Sequence, residues 1–147
     1  MIIYFHNQQD RHDANNGRAI SSADELATFL DEMRGANPFI VEFSGSGDFH
    51  IDIGIGGNFG WVQFSRMDDN PPYLMAVSHC PPMKRGYIEF QCGGTPTPVA
   101  ARYIISFDEL KEVVLYFLRT GERSESVSWQ KLNPRACKED AERPLDQ

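Results

Sequence analysis

The 147-residue chain has little positive charge, few cysteines and no long apolar run. Lys and Arg total 14 against 21 Asp and Glu, and the net charge of -7 repels nucleic-acid phosphates and anionic lipid headgroups. We therefore expect the chain to bind neither nucleic acid nor membranes directly. A basic protein partner, in contrast, would be attracted by the same electrostatic field.

The cysteines and the amino-terminal residues indicate a cytoplasmic protein. Cys80, Cys92 and Cys137 are odd in number and lack CxxC spacing, so they do not form a disulfide framework. Residues 1–6 contain no basic stretch, and their apolar run is too short to enter a membrane. We expect reduced thiols, no signal peptide and no membrane anchor.

The composition is sufficient for one packed domain. Hydrophobic residues make up 41% of the chain and aromatic residues 12%. No internal repeat or linker divides the sequence. We expect a single domain over residues 1–134, and we expect the charged, proline-containing residues 135–147 to form a disordered tail.

Two segments have the pattern of amphipathic helices. Each begins with a capping box, Ser22 to Glu25 and Ser106 to Glu109, whose side chains satisfy backbone N–H groups. Apolar residues then recur at helical spacing. The first helix is predicted over about residues 23–34. The second is predicted to end before Gly121, because glycine suits the left-handed residue that stops a helix.

The segments between these helices alternate apolar and polar residues with the period of a strand. Glycine-rich and proline-rich turns separate them, and residues 93–98 are expected to break regular structure. The pattern predicts an α+β fold, in which two main helices pack on an antiparallel, meander-like sheet of about five to six strands. The predicted strands are 1–6, 39–43, 49–55, 61–64, 73–77 and 87–91, with 101–105 and 127–129 as short extended pieces.

Motifs for catalysis, cofactors and metals are missing from the sequence. The glycine cluster 54–60 has Phe59 where a phosphate-binding GxGxxG motif needs its third glycine, so a hairpin turn explains it better. The four histidines form no HxxxH or HExxH pair. His79, Cys80 and Cys92 are better explained as strand and core residues than as metal ligands. We assign no catalytic residue, no cofactor and no metal.

Acidic residues on the predicted strands leave one enzymatic hypothesis open. Glu42, Asp48, Asp52 and Glu89 could converge as general acid and base on one face of the sheet. Solvated side chains on strands explain the same residues, and this second explanation is the simpler one.

The most specific signal lies between Pro98 and Trp129. Ala-Ala-Arg at 100–102 precedes a helix that ends in Tyr-Phe-Leu-Arg-Thr-Gly-Glu-Arg at 116–123, and Val-Ser-Trp follows at 127–129. This combination resembles the first-numbered immunity-protein family of bacterial polymorphic toxin systems. A glycine-punctuated hairpin at 53–64 extends the resemblance to roughly residues 39–129, although Ser124 stands where that family often has proline.

The resemblance implies a cytoplasmic antitoxin that binds and blocks one cognate secreted toxin domain in a one-to-one complex. Toxins associated with this family include nucleases and nucleic-acid deaminases. Such enzymes usually carry a basic substrate groove, which an acidic protein can cover. We therefore expect a basic, nucleic-acid-acting toxin as the partner, inhibited by occlusion of its active site.

Contact residues are predicted at three turns that combine negative charge with aromatic side chains, the composition suited to an interface with a basic protein. Solvated turns explain the same residues equally well. The candidate toxin-binding residues are Asp48, Asn58, Phe59, Asp68, Asp69, Asn70 and Tyr73.

Two other functions remain open at this stage. One is a small-molecule-binding or enzymatic α+β domain with a pocket between the second helix and the sheet. The other is a structural subunit or adaptor, which would form stable homo-oligomers instead of a heterocomplex. A filled interior and a broad acidic surface would favour the toxin inhibitor over the enzyme.

Overall fold

A computed structural model of the chain describes residues 1–45 and 49–142. These residues form ten strands in one sheet and three α-helices. The helices are α1 (Ala23–Met33), α2 (Phe107–Thr120) and α3 (Ala136–Ala141), and a 3-10 helix spans Ala101–Tyr103. The strands are β1 (Ile3–Asn7), β2 (Ala19–Ile20), β3 (Phe39–Ser44), β4 (Phe49–Gly56), β5 (Phe59–Arg66), β6 (Tyr73–Val77), β7 (Tyr87–Cys92), β8 (Thr95–Ala100), β9 (Ile105–Ser106) and β10 (Ser128–Gln130).

The main path of the sheet runs β10-β6-β5-β4-β3-β1-β2, and each pairing along it is antiparallel. The hairpin of β7 and β8 joins this path at the start of β3 through one parallel pair, Phe39 with Gln91. Strand β9 pairs with the start of β5. The α+β class with a largely antiparallel sheet is therefore confirmed.

The expected number of strands, five to six, is wrong. Strands β2 and β9 have two residues each, too few for any periodic pattern to show. Strand β8 contains Pro96 and Pro98, which made the segment look irregular. It pairs only with β7 among the described strands, and alternate residues of an antiparallel strand direct their N–H groups away from the partner. Pro96 and Pro98 are two residues apart, so both can occupy positions whose N–H groups would point away from β7, and the β7–β8 ladder loses no hydrogen-bond donor.

Both predicted helices are confirmed, but only the second has the complete capping box, because the Glu25 carboxylate accepts a hydrogen bond from Arg18 instead. Ser22 Oγ accepts a hydrogen bond from the Glu25 N–H at the start of α1. At the start of α2, Ser106 and Glu109 form a reciprocal capping box. Gly121 ends α2 with a φ of 72°, the left-handed conformation that favours glycine. Among residues 1–45 and 49–142, no helix has the length and apolar character needed to cross a membrane.

The two sides of the sheet are buried differently. We call the side under α1 and α2 the helix face, and the opposite side the far face. Alternate residues of β3, β4 and β5 on the helix face are fully buried against Leu110, Val114 and Phe117 of α2. On the far face, the β7–β8 hairpin, the 3-10 helix and α3 cover only one end.

The covered end of the far face is centred on Trp61. Its ring packs edge-on against Phe90 of β7, with 6.2 Å between the ring centroids. Gly54 lies directly opposite Trp61 in the β4–β5 ladder, and a side chain there would collide with the Trp61 ring. The close approach of this ring, rather than hairpin geometry, requires glycine at position 54.

Residues 136–141 form α3, where we expected part of a disordered tail. Asp140 is fully buried and accepts hydrogen bonds from the side chain of Arg102 at 2.8 Å and from its backbone N–H at 2.9 Å. The pKa of Arg102 is raised, chiefly by its side-chain hydrogen bonds with Asp140. The local sequence of α3 does not predict a helix, and we attribute the helix to this long-range ion pair. A single domain over 1–134 stays a prediction, and α3 packs on that part of the chain.

Candidate functional site

The predicted contact residues at the β4–β5 hairpin tip are held by the fold. Asn58 Oδ1 accepts a hydrogen bond of 2.7 Å from Arg34 at the end of α1. Phe59 is half-buried against the cluster around Trp61. A partner could contact Asn58, but Phe59 is not the exposed aromatic anchor that we expected. Asp48 lies outside the described residues.

The acidic loop after β5 is partly neutralised by arginines. Arg66 Nε donates to Asp68 Oδ1 at 2.8 Å, and Arg66 Nη1 lies 3.2 Å from Glu122. Arg123 Nη1 lies 4.0 Å from Asp69, and its guanidinium stacks over Phe64. These solvent-exposed pairs are weak individually. Three carboxylates and two guanidiniums leave this cluster only one net negative charge, so its acidity is smaller than the sequence suggests.

The same loop borders a hollow on the far face. Asn70 and Tyr73 line it, together with Lys131 and Leu132 from the segment after β10. Its volume is about 520 Å³. Tyr73 is 46% exposed and Leu132 47%, so two large side chains lie unshielded at this edge. The Asn70–Pro71 peptide bond is cis.

A second, more apolar groove adjoins this hollow. It has a volume of about 360 Å³ and shares Gln63 and Leu132 with the first. Trp61 and Met75 form part of its floor, while β8, Tyr103 and the segment leading into α3 form its walls. The two hollows share Gln63 and Leu132 and form one depression, which Asn70 and Tyr73 border; Asp68 and Asp69 precede Asn70 in the same loop and do not line it. We call this depression with the loop 68–73 the docking surface.

The open end of the far face is polar, and the strand register arranges its side chains in two rows. One row runs His6, Glu42, Asp52, Gln63 and Met75 across β1, β3, β4, β5 and β6. The next row runs Tyr4, Ser44, His50, Ser65 and Tyr73 across the same strands. Directly opposite residues of this kind are close enough to interact.

Three titratable side chains converge where the two rows meet. Glu42, His50 and Asp52 each bring one ligand-type atom within 4.8 Å of the others. His50 Nε2 lies 3.7 Å from Asp52 Oδ2. Gln8 Nε2 donates a hydrogen bond of 3.0 Å to Glu42 Oε2. Within residues 1–45 and 49–142, no other group of three His, Cys, Asp or Glu side chains converges in this way, and His79, Cys80 and Cys92 do not.

Burial makes Asp52 the unusual member of this cluster. Desolvation raises the pKa of its carboxyl to about 6; His50 opposes the rise, and the negative charge of Glu42 adds to it. The Asp52 carboxylate is therefore held near Glu42 at an energetic cost when it is ionised. A shifted carboxyl beside a second carboxylate and a histidine is the sort of environment found at functional sites.

The observed positions of the carboxylates agree with part of the acid–base hypothesis. The structure brings Glu42 and Asp52 together, while Glu89 lies on the exposed side of β7, opposite to Phe90. Sequence reasoning missed His50, because it looked for histidine pairs at helical spacing. The available signal was the pair His50 and Asp52, two residues apart on one strand and therefore on one face.

The interior beneath α2 is filled. Leu110, Val113, Val114, Phe117 and Leu118 are at most 2% exposed and pack into one cluster with the helix face of the sheet. The pocket expected between the second helix and the sheet in the small-molecule hypothesis is therefore not at that position. The grooves that we describe lie on the opposite side of the sheet.

Comparison with models of known protein families identifies a family for this chain. The family model described as Immunity protein Imm1 matches residues 14–131, which is most of the chain. The match includes the helix that Gly121 ends and the Val-Ser-Trp segment, where Trp129 packs against Phe64 and donates a hydrogen bond to the carbonyl oxygen of Ser124. Comparison with the curated proteins finds no match.

Proposed function

The chain belongs to the Imm1 immunity-protein family, and from this premise we propose that it binds a cognate bacterial toxin domain and inhibits it by covering the active site. The family match over residues 14–131 carries the proposal. In this mechanism the protein acts through binding alone, as one immunity protein per toxin domain in the cytoplasm. Its filled interior agrees with such a role, because a rigid scaffold presents a preformed surface.

The docking surface is the place where we expect the toxin to bind. Stable interfaces combine an apolar, well-packed centre with a polar rim. Here the groove over Trp61 and Met75 would supply the centre, and Asn70 with the two acidic residues that precede it in the loop would supply the rim. Tyr73 and Leu132 lie between the two regions with about half of their surface exposed. Aromatic anchors at such positions often contribute most of the binding energy.

The charge of the chain supports a basic partner. A net charge of -7 accelerates association with a positively charged protein and disfavours direct contact with nucleic acid. Toxin domains that act on DNA or RNA, such as deaminases and nucleases, need a basic surface for their own substrate. We propose a toxin of this class, whose substrate-binding surface is covered by the immunity protein.

The decisive experiment starts with the protein encoded beside this chain. The two proteins are co-expressed and co-purified, and the toxin is assayed on single-stranded and double-stranded DNA and on RNA with and without the immunity protein. We expect a one-to-one complex and loss of toxin activity. A partner that keeps full activity in the complex would contradict inhibition, and turnover of a metabolite by the chain alone would contradict the binding-only mechanism.

The position of the interface is tested by charge reversal. Replacing Asp68→Lys and Asp69→Lys together is expected to slow association at low salt by about tenfold or more and to weaken its dependence on salt. The matched control is Glu32→Lys with Glu112→Lys, which changes the net charge equally at exposed positions of α1 and α2 on the helix face. Equal effects of the two double variants would place the toxin elsewhere.

A further inference from the structure

We propose that Glu42, His50 and Asp52 form a binding site for one divalent transition-metal ion, with Zn²⁺ as the best match. The three side chains come from the neighbouring strands β3 and β4 on the open end of the far face. They include one imidazole nitrogen and two carboxylates, which are all established ligands of such ions. The proposed toxin inhibition does not depend on this site.

The spacing of the ligand atoms fits a single ion. Zn²⁺ binds histidine nitrogen and carboxylate oxygen at about 2.0–2.2 Å, so two ligands of a tetrahedral ion lie roughly 3.4 Å apart. The 3.7 Å between His50 Nε2 and Asp52 Oδ2 is close to that separation, and it is too long for a good hydrogen bond. Glu42 reaches the same point within the 4.8 Å that spans the cluster.

The charge of the cluster calls for a cation. Glu42 and Asp52 lie directly opposite each other in the β3–β4 ladder, where like charges destabilise a sheet. Among the described residues, no Lys or Arg side chain pairs with either carboxylate. The Asp52 side chain is only 22% exposed, so water compensates its charge poorly. A divalent ion would neutralise both carboxylates at once.

Two neighbouring polar groups support a metal site at this position. Ser65 is fully buried directly opposite His50, on the same face as Gln63, and its hydroxyl has no hydrogen-bond partner among the described residues. A water molecule coordinated to an ion at His50 could satisfy that hydroxyl. Gln8 already holds one oxygen of Glu42 by a hydrogen bond, the kind of outer contact that orients a metal ligand.

A metal ion fits the cluster better than a basic side chain of the toxin does. The three groups converge on a point, whereas a guanidinium needs a planar pair of acceptors spread across its fork. The lone pair of an imidazole nitrogen is a strong metal ligand. The fourth position of the tetrahedral ion would be taken by the water molecule that bonds the Ser65 hydroxyl.

The test uses the full-length protein without an affinity tag, freed of metal with a chelator. We expect titration with Zn²⁺ in a calorimeter to saturate at one ion per chain and to raise the melting temperature. Co²⁺ is expected to give the strong visible absorption of a four-coordinate site. Absence of saturable binding of Zn²⁺, Co²⁺ and Ni²⁺ at pH 7.5, a pH above the raised pKa of Asp52, would overturn the proposal.

Variants locate the site. Glu42→Gln, His50→Asn and Asp52→Asn are each expected to weaken Zn²⁺ binding at least about tenfold, because each removes one ligand. Glu89→Gln and His79→Asn are the matched controls, since both residues are exposed and lie away from the cluster. Circular dichroism identifies any variant that fails to fold. Binding that survives in all three ligand variants, or that is lost equally in the controls, would overturn the assignment.

The same variants separate this site from toxin inhibition. A protein that neutralises its toxin but binds no metal would refute the metal site alone. A protein that binds Zn²⁺ at this cluster but leaves every neighbouring toxin active would refute the proposed function alone. If Glu42→Gln and Asp52→Asn slow toxin association while no metal binds, the cluster serves a basic side chain of the partner and the metal proposal is wrong.

Discussion

The helix face and the far face are made by alternate residues of the same strands, yet they differ in nearly every physical respect. On the helix face, Ile51, Ile53 and Ile55 of β4 are fully buried under α2. On the far face, the intervening His50 and Asp52 belong to a polar cluster, and Gly54 makes room for Trp61. The helix face has the features of a core that maintains the fold, and the far face has the features that we propose for binding.

This difference separates the residues that stabilise the fold from the residues that we propose for binding. Apolar burial on the helix face removes large side chains from water and contributes most of the free energy of folding. The open end of the far face contributes little apolar burial and contains a carboxyl group whose ionisation opposes folding. Because the two sets alternate along each strand, a one-residue slip of register would exchange them, so the core also fixes the position of the far-face side chains.

The largest effect is expected from breaking the helix face. Phe117→Ala removes a ring that is 1% exposed and packs edge-on against Phe49 and Phe64. We expect the free energy of unfolding in urea to fall by about 3–5 kcal/mol. Tyr73→Ala on the far face is the control and should change it by less than about 1 kcal/mol. Similar losses for the two variants would contradict the conclusion that the helix face contributes more to folding stability than the far face does.

A smaller effect of opposite sign is expected at Asp52. The folded-state pKa of about 6 lies above the ordinary 3.8, so folding favours the protonated carboxyl. At about 1.4 kcal/mol per pH unit between these values, ionised Asp52 lowers the free energy of unfolding by up to about 3 kcal/mol. This penalty is absent below pH 4, grows as the pH rises, and is complete above about pH 6.

Asp52→Asn therefore should stabilise the metal-free protein at pH 7.5 and leave its stability unchanged near pH 3.5. Urea unfolding in the presence of a chelator at both pH values measures the difference. Glu89→Gln removes a carboxylate from the exposed side of β7 and serves as the control. A destabilised Asp52→Asn protein at pH 7.5 would show that the carboxylate supports the fold rather than straining it.

The smallest effect is expected at the end of the far face that the β7–β8 hairpin covers. In Gly54→Ala the added methyl group would meet the Trp61 ring and come within 2.7 Å of Phe90. Displacing these rings is expected to cost about 1–3 kcal/mol. Tryptophan fluorescence and urea unfolding would detect the shift, and Gly35→Ala, which has open space around it apart from one ordinary contact, is the control. An unchanged Trp61 environment would mean that this end of the far face is loosely packed.

Local sequence signals predicted the helices and the central strands, because their causes are local. Ser106 and Glu109 form the capping box that they encode, and Gly121 adopts the left-handed conformation that it suits. The helix α3 could not be predicted in this way. It depends on the ion pair between Arg102 and Asp140, which are 38 positions apart, and on burial that only the folded chain provides.

The candidate sites could be predicted only in part. Turn composition indicated the loop from Asp68 to Tyr73, and alternation placed Glu42 and Asp52 on one face. The sequence could not show that Arg66 and Arg123 pair with the acidic loop, since these pairs depend on how distant strands meet. For the same reason the cluster with His50 became visible only from the register of β3 on β4.

The edges of the sheet have a further consequence for the association of protein copies at high concentration. The main path ends in β2 and β10, which have two and three residues, and the side branch ends in β8 with its two prolines. Each border thus offers few free backbone groups for another polypeptide to add to. The described edges of the sheet therefore disfavour strand-to-strand pairing between copies when the protein accumulates.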